Sequence, residues 1–380
     1  MRYIRFLKSP RVVTDKTTAR KQVSCLITIT SDLGDSFLPY DIRLAAELLA
    51  TADSQEDVLL WSTVQWTAGM RSLPITFPLP KSRASWSHLR VRVGGEPKRI
   101  HDELATISDS DARGVVSAWS PPFTSDVDAP KLVERRFKLL DGPITTIWEE
   151  TGESIARHLW DAGITLSCQI TALTTPNSDL AKALLPSVSK PRLNVLELGT
   201  GCGMVGIAIA QTISNSKVLL TDLQEAREIV ERNIHYAIEA PGASLDFMEL
   251  DWDADLPDIL QSTSEQLDLV VAADCTYNPD SRYGFLLRHP ICLIKSRNKV
   301  DLTSIYSPAL VNTLTRLVKA SPEIVVAIAM KMRHSSEEVF FELMEDAGFI
   351  KKTQIEFPLP GDVEIGEEIV YLHVYKAATT

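Results

Sequence analysis

The residues best suited to do chemistry lie in one stretch, Val195-Leu196-Glu197-Leu198-Gly199-Thr200-Gly201-Cys202-Gly203-Met204-Val205-Gly206. An apolar run leads into three alternating glycines, and an apolar helical run follows. Glycine suits a turn where the backbone bends sharply and lets a ligand come close. The helix beyond offers unpaired N–H groups and the positive end of a dipole. Asp222 closes the next apolar run, 23 residues after Gly199. A carboxylate there can accept hydrogen bonds from both hydroxyls of a ribose. Together these residues point to a nucleoside-containing cofactor. The plain alternative is a glycine-rich turn without a ligand.

Glu197 stands two residues before the first glycine. A carboxylate within reach of the turn repels a pyrophosphate and attracts a cation. That disfavours a dinucleotide and a dehydrogenase. It favours S-adenosyl-L-methionine, which carries a sulfonium and an ammonium. Alternatively, Glu197 only binds backbone amides of the turn. A second constellation, Asp274-Cys275-Thr276-Tyr277, follows the apolar run Leu269-Val270-Val271-Ala272-Ala273. Ligands in α/β folds bind at the C-terminal ends of strands. Asp274 there can orient an amine or its departing proton. Tyr277 offers a ring face to a cation and a hydroxyl to donate or accept. An Asp-Tyr turn after a buried strand is the structural alternative. No histidine stands near Cys202 or Cys275 to act as a base, so both read as packing residues.

These residues need a frame. Strand patterns over Asn194–Leu198, Lys217–Asp222, Leu267–Ala273 and Glu323–Met330 alternate with helical ones over Met204–Ile213, Gln224–Ala237, Pro308–Lys319 and Ser335–Ala347. That alternation predicts a parallel sheet with helices on both faces. Ser335 with Glu338 reads as a capping box, and Gly348 as the stop of that helix. Lys351–Phe357 and Ile369–Tyr375 are joined without a helix, which predicts an antiparallel terminal hairpin. Residues 1–125 read as a smaller β-rich accessory domain of sandwich type, with one short helix over Leu44–Ala50. Ser120–Pro130 reads as a linker, and residues 126–380 as the α/β domain.

The pattern resembles the seven-strand class I methyltransferases, through Glu197-Leu198-Gly199-Thr200-Gly201-Cys202-Gly203, the acid Asp222 and the terminal hairpin. Asp274-Cys275-Thr276-Tyr277 narrows the resemblance to the family-16 protein-lysine methyltransferases of methyltransferase-like 21 type. Trp160-Asp161-Ala162-Gly163 and Asp251-Trp252 are similar to two further elements of that family. The resemblance covers residues ~135 to 380. The part before it looks like the N-terminal extension of fungal members. By this resemblance Gly199, Thr200 and Gly201 line the methionine part of S-adenosyl-L-methionine, with Gly203 completing the motif. Asp222 holds the ribose. Trp252 stacks on the adenine and Asp251 accepts from its amino group. Ala273 and Trp160 complete the wall, although Trp160 can equally be core with Ile155 and Leu159.

Residues 282–306 break the alternation. They show no clear period and hold five basic residues and one acid, where loops of this fold are normally short. The codons permit a retained intron, removed in frame from within codon 282 to within codon 307. The rival reading is an insertion forming a substrate-recognition lip.

Composition narrows the function classes. The net charge is −11, which disfavours a sequence-blind polyanion binder, so nucleic acid is not an expected partner. The longest apolar run, Ile324–Met330, is far short of the ~20 residues that cross a bilayer. The five cysteines form no C-x-x-C pair, which disfavours a disulfide framework and a structural zinc site. The basic first 21 residues resemble a transit peptide mildly and a basic first strand better. The expectation is a cytoplasmic enzyme, with the nucleus as the other compartment. It would methylate a protein lysine, with chaperones or translation factors as the implied partners. A small-molecule N-methyltransferase and a catalytically silent protein of this fold are the alternatives.

Overall fold

The computed structural model describes all residues except 53–54, 80–87, 109–112, 141, 151–154, 187–189, 263–265, 277–305, 334, 360–368 and 379–380. Tyr277 and the anomalous segment up to residue 305 therefore lie outside the described residues.

The first part of the chain combines strands that alternate buried and exposed residues, such as Leu73–Pro78, with strands buried throughout, such as Leu89–Gly94. β1 (Arg2–Thr14) pairs antiparallel with β2 (Lys21–Thr30), in register from Tyr3↔Thr30 to Thr14↔Lys21. With β5 (Leu73–Pro78) and β7 (Val115–Val116) they form a sheet of order β5-β2-β1-β7. A second sheet runs β10 (Ile144–Glu150), β9 (Leu132–Lys138), β8 (Ala118–Trp119), β6 (Leu89–Gly94), β3 (Ile42–Ala52), β4 (Gln55–Trp66). Ile4, Phe6, Ile27 and Ile29 of the first sheet share a core with Leu44, Leu48, Val91 and Val93 of the second. This is the expected sandwich.

Three local expectations are corrected. Leu44–Ala50 is not a helix but the middle of β3. It pairs on one side with β4 and on the other with β6, and Leu44 to Leu49 are all buried. Pairing on both edges overrides the helix preference of Leu, Ala and Glu. Residues 120–130 are not a free linker. Phe123 is buried and bonds Leu89 through both backbone groups, and the Ala129 N–H donates to the Pro10 carbonyl. The boundary expected near residue 125 cuts the second sheet between β8 and β9, which pair at Trp119↔Glu134, and this sheet runs on to Glu150.

The rest is one seven-stranded sheet, in the order β13 (Ser244–Glu249), β12 (Ser216–Asp222), β11 (Leu193–Leu198), β14 (Leu269–Ala273), β15 (Val325–Met330), β17 (Ile369–Ala377), β16 (Phe349–Pro358). The first five are parallel, and β17 alone is reversed, lying antiparallel to both β15 and β16. This is the arrangement that the class I resemblance implied. Successive residues of β11 point to opposite faces. Val195 packs with the helices 161–169, 204–212 and 227–236, while Leu196 and Leu198 pack with 306–320 and 339–346. The capping-box residues Ser335–Glu338 form a 3-10 turn that leads into the last helix, Val339–Asp346, and Gly348 ends it in left-handed backbone. Among the described residues no helix is long and apolar enough to cross a membrane.

The two parts share a core. Trp148 of β10 bonds Asn233 of the 227–236 helix through both its backbone groups. Arg135 and Glu149 pair beneath this seam, both fully buried. The guanidinium also donates to the carbonyls of Ser117 and Ile4, and Glu149 accepts from the Leu159 N–H at 2.9 Å. The Glu149 carboxyl is held well below the usual range; burial opposes this, and the charges of Arg135, His158 and Arg5 with the His158 hydrogen bond together outweigh it. Glu149→Ala leaves a buried guanidinium without its counter-charge. It should cost about 3–5 kcal/mol in urea unfolding. A loss under about 1 kcal/mol would show the pair to be dispensable.

Candidate active site

The glycine turn adopts the backbone that its sequence requires. Gly199, Gly201 and Gly203 have φ of +62°, +57° and +83°. A Cβ on Gly199 would lie 2.7 Å from the Cys275 Sγ, and one on Gly201 3.2 Å from the Ala156 carbonyl. These two glycines, with Thr200, line a cleft of about 270 Å³ at the C-terminal ends of the parallel strands. Gly203 is set apart from its neighbours in the motif. It does not line the cleft but supplies the left-handed N-cap of the 204–212 helix, and a Cβ there would press on Leu220.

Two acids brace the turn. Glu197 is buried, lines the cleft and accepts from the Gly206 N–H at 2.8 Å. It thus binds a backbone amide, as the plainer reading had it, and it also lines the cleft. Burial pushes its carboxyl up to about 7, against the pull of Thr200 and the Gly206 amide, and the Asp222 charge adds to the rise. Asp222, at the end of β12, accepts from the N–H groups of Gly201 at 2.8 Å and Leu223 at 2.7 Å. Burial raises it as well, against those two bonds.

The far wall comes from the segment after β13. Asp251 is exposed and accepts from the Asp253 N–H. The Trp252 ring lies against Gly199, and its carbonyl is held by Arg316 at 2.8 Å and Thr313 at 3.2 Å from the 306–320 helix. Trp160, extended at the start of the 161–169 helix, lines the opposite side of the cleft, not the core, with the Arg333 guanidinium 5.6 Å from its ring centre. Ala273 closes the wall.

Asp274 occupies left-handed backbone at φ +54°. Its carboxylate is already bonded: Oδ1 accepts from Arg333 Nη1 at 2.7 Å, and Oδ2 from the Ala162 N–H at 2.8 Å. The side chain is 1% exposed. The expectation that it handles a substrate amine directly thus meets a carboxylate committed to protein donors, because the strand end is packed under the 161–169 helix. Cys275 donates weakly to the carbonyls of Leu198 and Ala273. Burial, and then the charges of Asp222, Asp274 and Glu197, push its thiol well up. This suits packing and not attack.

Sequence reasoning missed Arg333, which lines the cleft and pairs with both Asp274 and Asp32. The available signal was the basic cluster Lys331-Met332-Arg333 directly after the apolar run of β15, whose partner strand β14 ends at Ala273, just before Asp274.

Residues 139–300 match a family model described as lysine methyltransferase. Over 286 residues the chain is 29% identical to a UPF0665 family protein of Schizosaccharomyces pombe, covering 73% of this chain and 81% of that protein. It is 30% identical over 146 residues to protein-lysine N-methyltransferase EFM6 of Saccharomyces cerevisiae, covering 36% of this chain and 57% of that one. It is 28% identical over 132 residues to the calmodulin-lysine N-methyltransferase of Arabidopsis thaliana, covering 34% and 42%. The match thus spans about half the length of each of these two enzymes.

The raised Glu197 carboxyl gives a test of the site's electrostatics. An unfolded glutamate titrates near 4.5, the folded one at about 7. Between those values the folded protein keeps a proton that the unfolded chain releases. Glu197's contribution is therefore full below about 4.5 and is lost as pH rises to about 7. The whole step is worth roughly 3 kcal/mol. Glu197→Gln should flatten that part of the stability-against-pH curve, measured by urea unfolding across this range. An unchanged slope would place the titration elsewhere.

Proposed function

We propose that this chain, whose residues 139–300 match the lysine methyltransferase family model, moves a methyl group from S-adenosyl-L-methionine to the side-chain nitrogen of a lysine in another protein. The observation that carries the reading is the pairing of an open glycine turn with a buried acid, Glu197, and a half-buried one, Asp222, both raised by desolvation. The cradle suits the donor in shape and charge. Gly199 and Gly201 line the cleft with bare backbone, which lets a ligand approach the turn closely. Glu197 and Asp222 are held in a site that penalises their charge, and a cation beside them relieves that penalty. When bound, the donor supplies a methyl group on a positively charged sulfur.

In this reading each residue has one task. Gly199, Thr200 and Gly201 face the methionine part, and Asp222 holds the ribose hydroxyls with the lone pairs that Gly201 and Leu223 leave open. Trp252 covers the adenine and Asp251 accepts from its amino group. Trp160 and Ala273 close the wall. Asp274 acts as a positioning residue at the end of β14. Tyr277, outside the described residues, keeps the role that the sequence suggests, a ring face and a hydroxyl near the incoming amine. A lysine ammonium must lose a proton before it can attack, and its usual pKa is ~10.4. Entry into a cleft beside a cationic sulfur lowers that value. Positioning at roughly 3–3.5 Å, in line with the breaking bond, supplies much of the acceleration. A protein substrate is favoured by the named activities of the two lysine methyltransferases above; chaperones and translation factors are the class that the family resemblance brings. Cytoplasm, with the nucleus as the second compartment, is the proposed location.

Incubation of the purified chain with methyl-labelled donor and whole lysate, followed by mass spectrometry of lysines, tests the reaction. A labelled protein band carrying methyl-lysine supports it. Label confined to a small product, or donor binding without any product, overturns it. Asp222→Ala removes charge-assisted bonds to the ribose and should weaken donor binding about 10- to 100-fold by calorimetry. Unchanged affinity would remove Asp222 from the cofactor site.

A further inference from the structure

We infer that the N-terminal β-sandwich completes the methyl-transfer site: Asp32, in the turn after β2, is a positioning residue that holds Arg333 against Asp274 and Trp160. The inference rests on the proposed reading of the cleft and adds a component to it from outside the α/β part. One guanidinium spans the junction. Its Nη2 donates to Asp32 Oδ2 at 2.6 Å and its Nη1 to Asp274 Oδ1 at 2.7 Å. The same group lies over the Trp160 ring and lines the cleft. A planar fork with both prongs occupied has a fixed orientation, which an isolated ion pair lacks.

The anchor on the sandwich side is itself held. Asp32 is 3% exposed. Its own carboxylate accepts from the Leu33 N–H at 2.9 Å, and Arg5 of β1 donates to the carbonyls of Ser31 and Asp32. Charges in the junction balance. Asp32, Asp161 and Asp274 face Lys331, Arg333 and the Met1 amino group, and Lys331 bridges Asp32 and Asp161. The anchored end also needs support, because a non-glycine residue in left-handed backbone persists only where its surroundings over-determine it. Asp274 is in that state. Its N–H donates to the Ala329 carbonyl, and its carboxylate is divided between Ala162 and Arg333. Without the Asp32 carboxylate one cation of the junction is unmatched, and the single oxygen of an amide in its place must serve the Leu33 N–H, Lys331 and Arg333 donors that two carboxylate oxygens now share. The guanidinium then turns, and Trp160 and Asp274 lose a common support.

The junction supplies its own control. Tyr3 donates to Asp161 Oδ1 at 2.7 Å across the same seam and is not among the residues that line the cleft. The test compares Asp32→Asn with Tyr3→Phe, each assayed below its melting temperature. Asp32→Asn should lower kcat about 10- to 100-fold with KM for the donor within about threefold, the signature of misplacement and not of lost binding. It should also speed hydrogen exchange in a peptide covering residues 273–276. Tyr3→Phe should leave kcat within about twofold and that peptide unchanged, whatever it costs in melting temperature. Should Asp32→Asn not fold, Arg333→Lys asks the same question, since an ammonium keeps the charge but cannot hold both carboxylates as a fork. Equal kcat losses in Asp32→Asn and Tyr3→Phe, or an unchanged kcat in a folded Asp32→Asn or Arg333→Lys, overturn the inference. If the wild-type chain transfers no methyl group, the exchange of residues 273–276 still decides the coupling, and only the proposed reaction fails.

Discussion

One backbone constraint governs the site: the chain can leave β11 only through left-handed turns at Gly199, Gly201 and Gly203. On the outer side the turn is closed against protein, at the Cys275 sulfur, the Ala156 carbonyl and Leu220. The acids are part of the same constraint. Glu197 bonds the amide of Gly206 and Asp222 bonds that of Gly201. The carboxylates hold the turn in shape, and the turn keeps the carboxylates out of water. Burial then penalises their ionised forms, which is why both are raised. A fold that needs two acids to brace a glycine turn has, by that necessity, prepared a place for a cation.

The cleft keeps this character because its guanidinium is already neutralised. Arg333 reaches the lining, and an isolated arginine there would cancel much of the field from Glu197, Asp222, Asp251 and Asp253. Instead its charge is shared by Asp32 and Asp274, and those two carboxylates keep it protonated against the cost of burial. The pairing removes a repulsive charge from the cleft while leaving a planar group over Trp160. On the proposed function, such an arrangement suits a positively charged donor and a lysine acceptor alike.

The sequence carried most of the α/β part for definite reasons. Continuous apolar runs mark strands buried on both faces, glycines at alternate positions mark left-handed turns, and a helix-free connection marks the antiparallel end. The candidate cleft was legible to the same degree, since Glu197, Gly199, Thr200, Gly201, Asp222 and Ala273 sit at strand ends fixed by local pattern. The sandwich was harder. Leu44–Ala50 has the composition of a helix, and only pairing with β4 and β6 makes it a strand. The segment through Pro121 and Pro122 reads as a spacer, yet Phe123 is buried against β6. Asp32 and Arg333 are separated by 301 positions in the chain, and no local pattern couples them. Contacts of that separation exist only once both parts have folded onto a common core.

The junction between the two parts also bears on why charged groups are buried there at all. Three carboxylates and three cations taken out of water gain little net stability, because desolvation consumes most of the Coulomb attraction. Well-packed apolar residues of equal volume would hold the parts together as well. Apolar packing is non-directional, however, and tolerates small rotations of the groups that it joins. A guanidinium with both prongs bonded does not. On the inference drawn above, the network trades stability for direction: it fixes the angle of Arg333, and through it Trp160 and Asp274, relative to the end of β14. The same logic accounts for where the network lies. It occupies the C-terminal edge of β14 and β15, beside the cleft, whereas elsewhere the parts are also joined by apolar contacts that include Phe137 and Trp148.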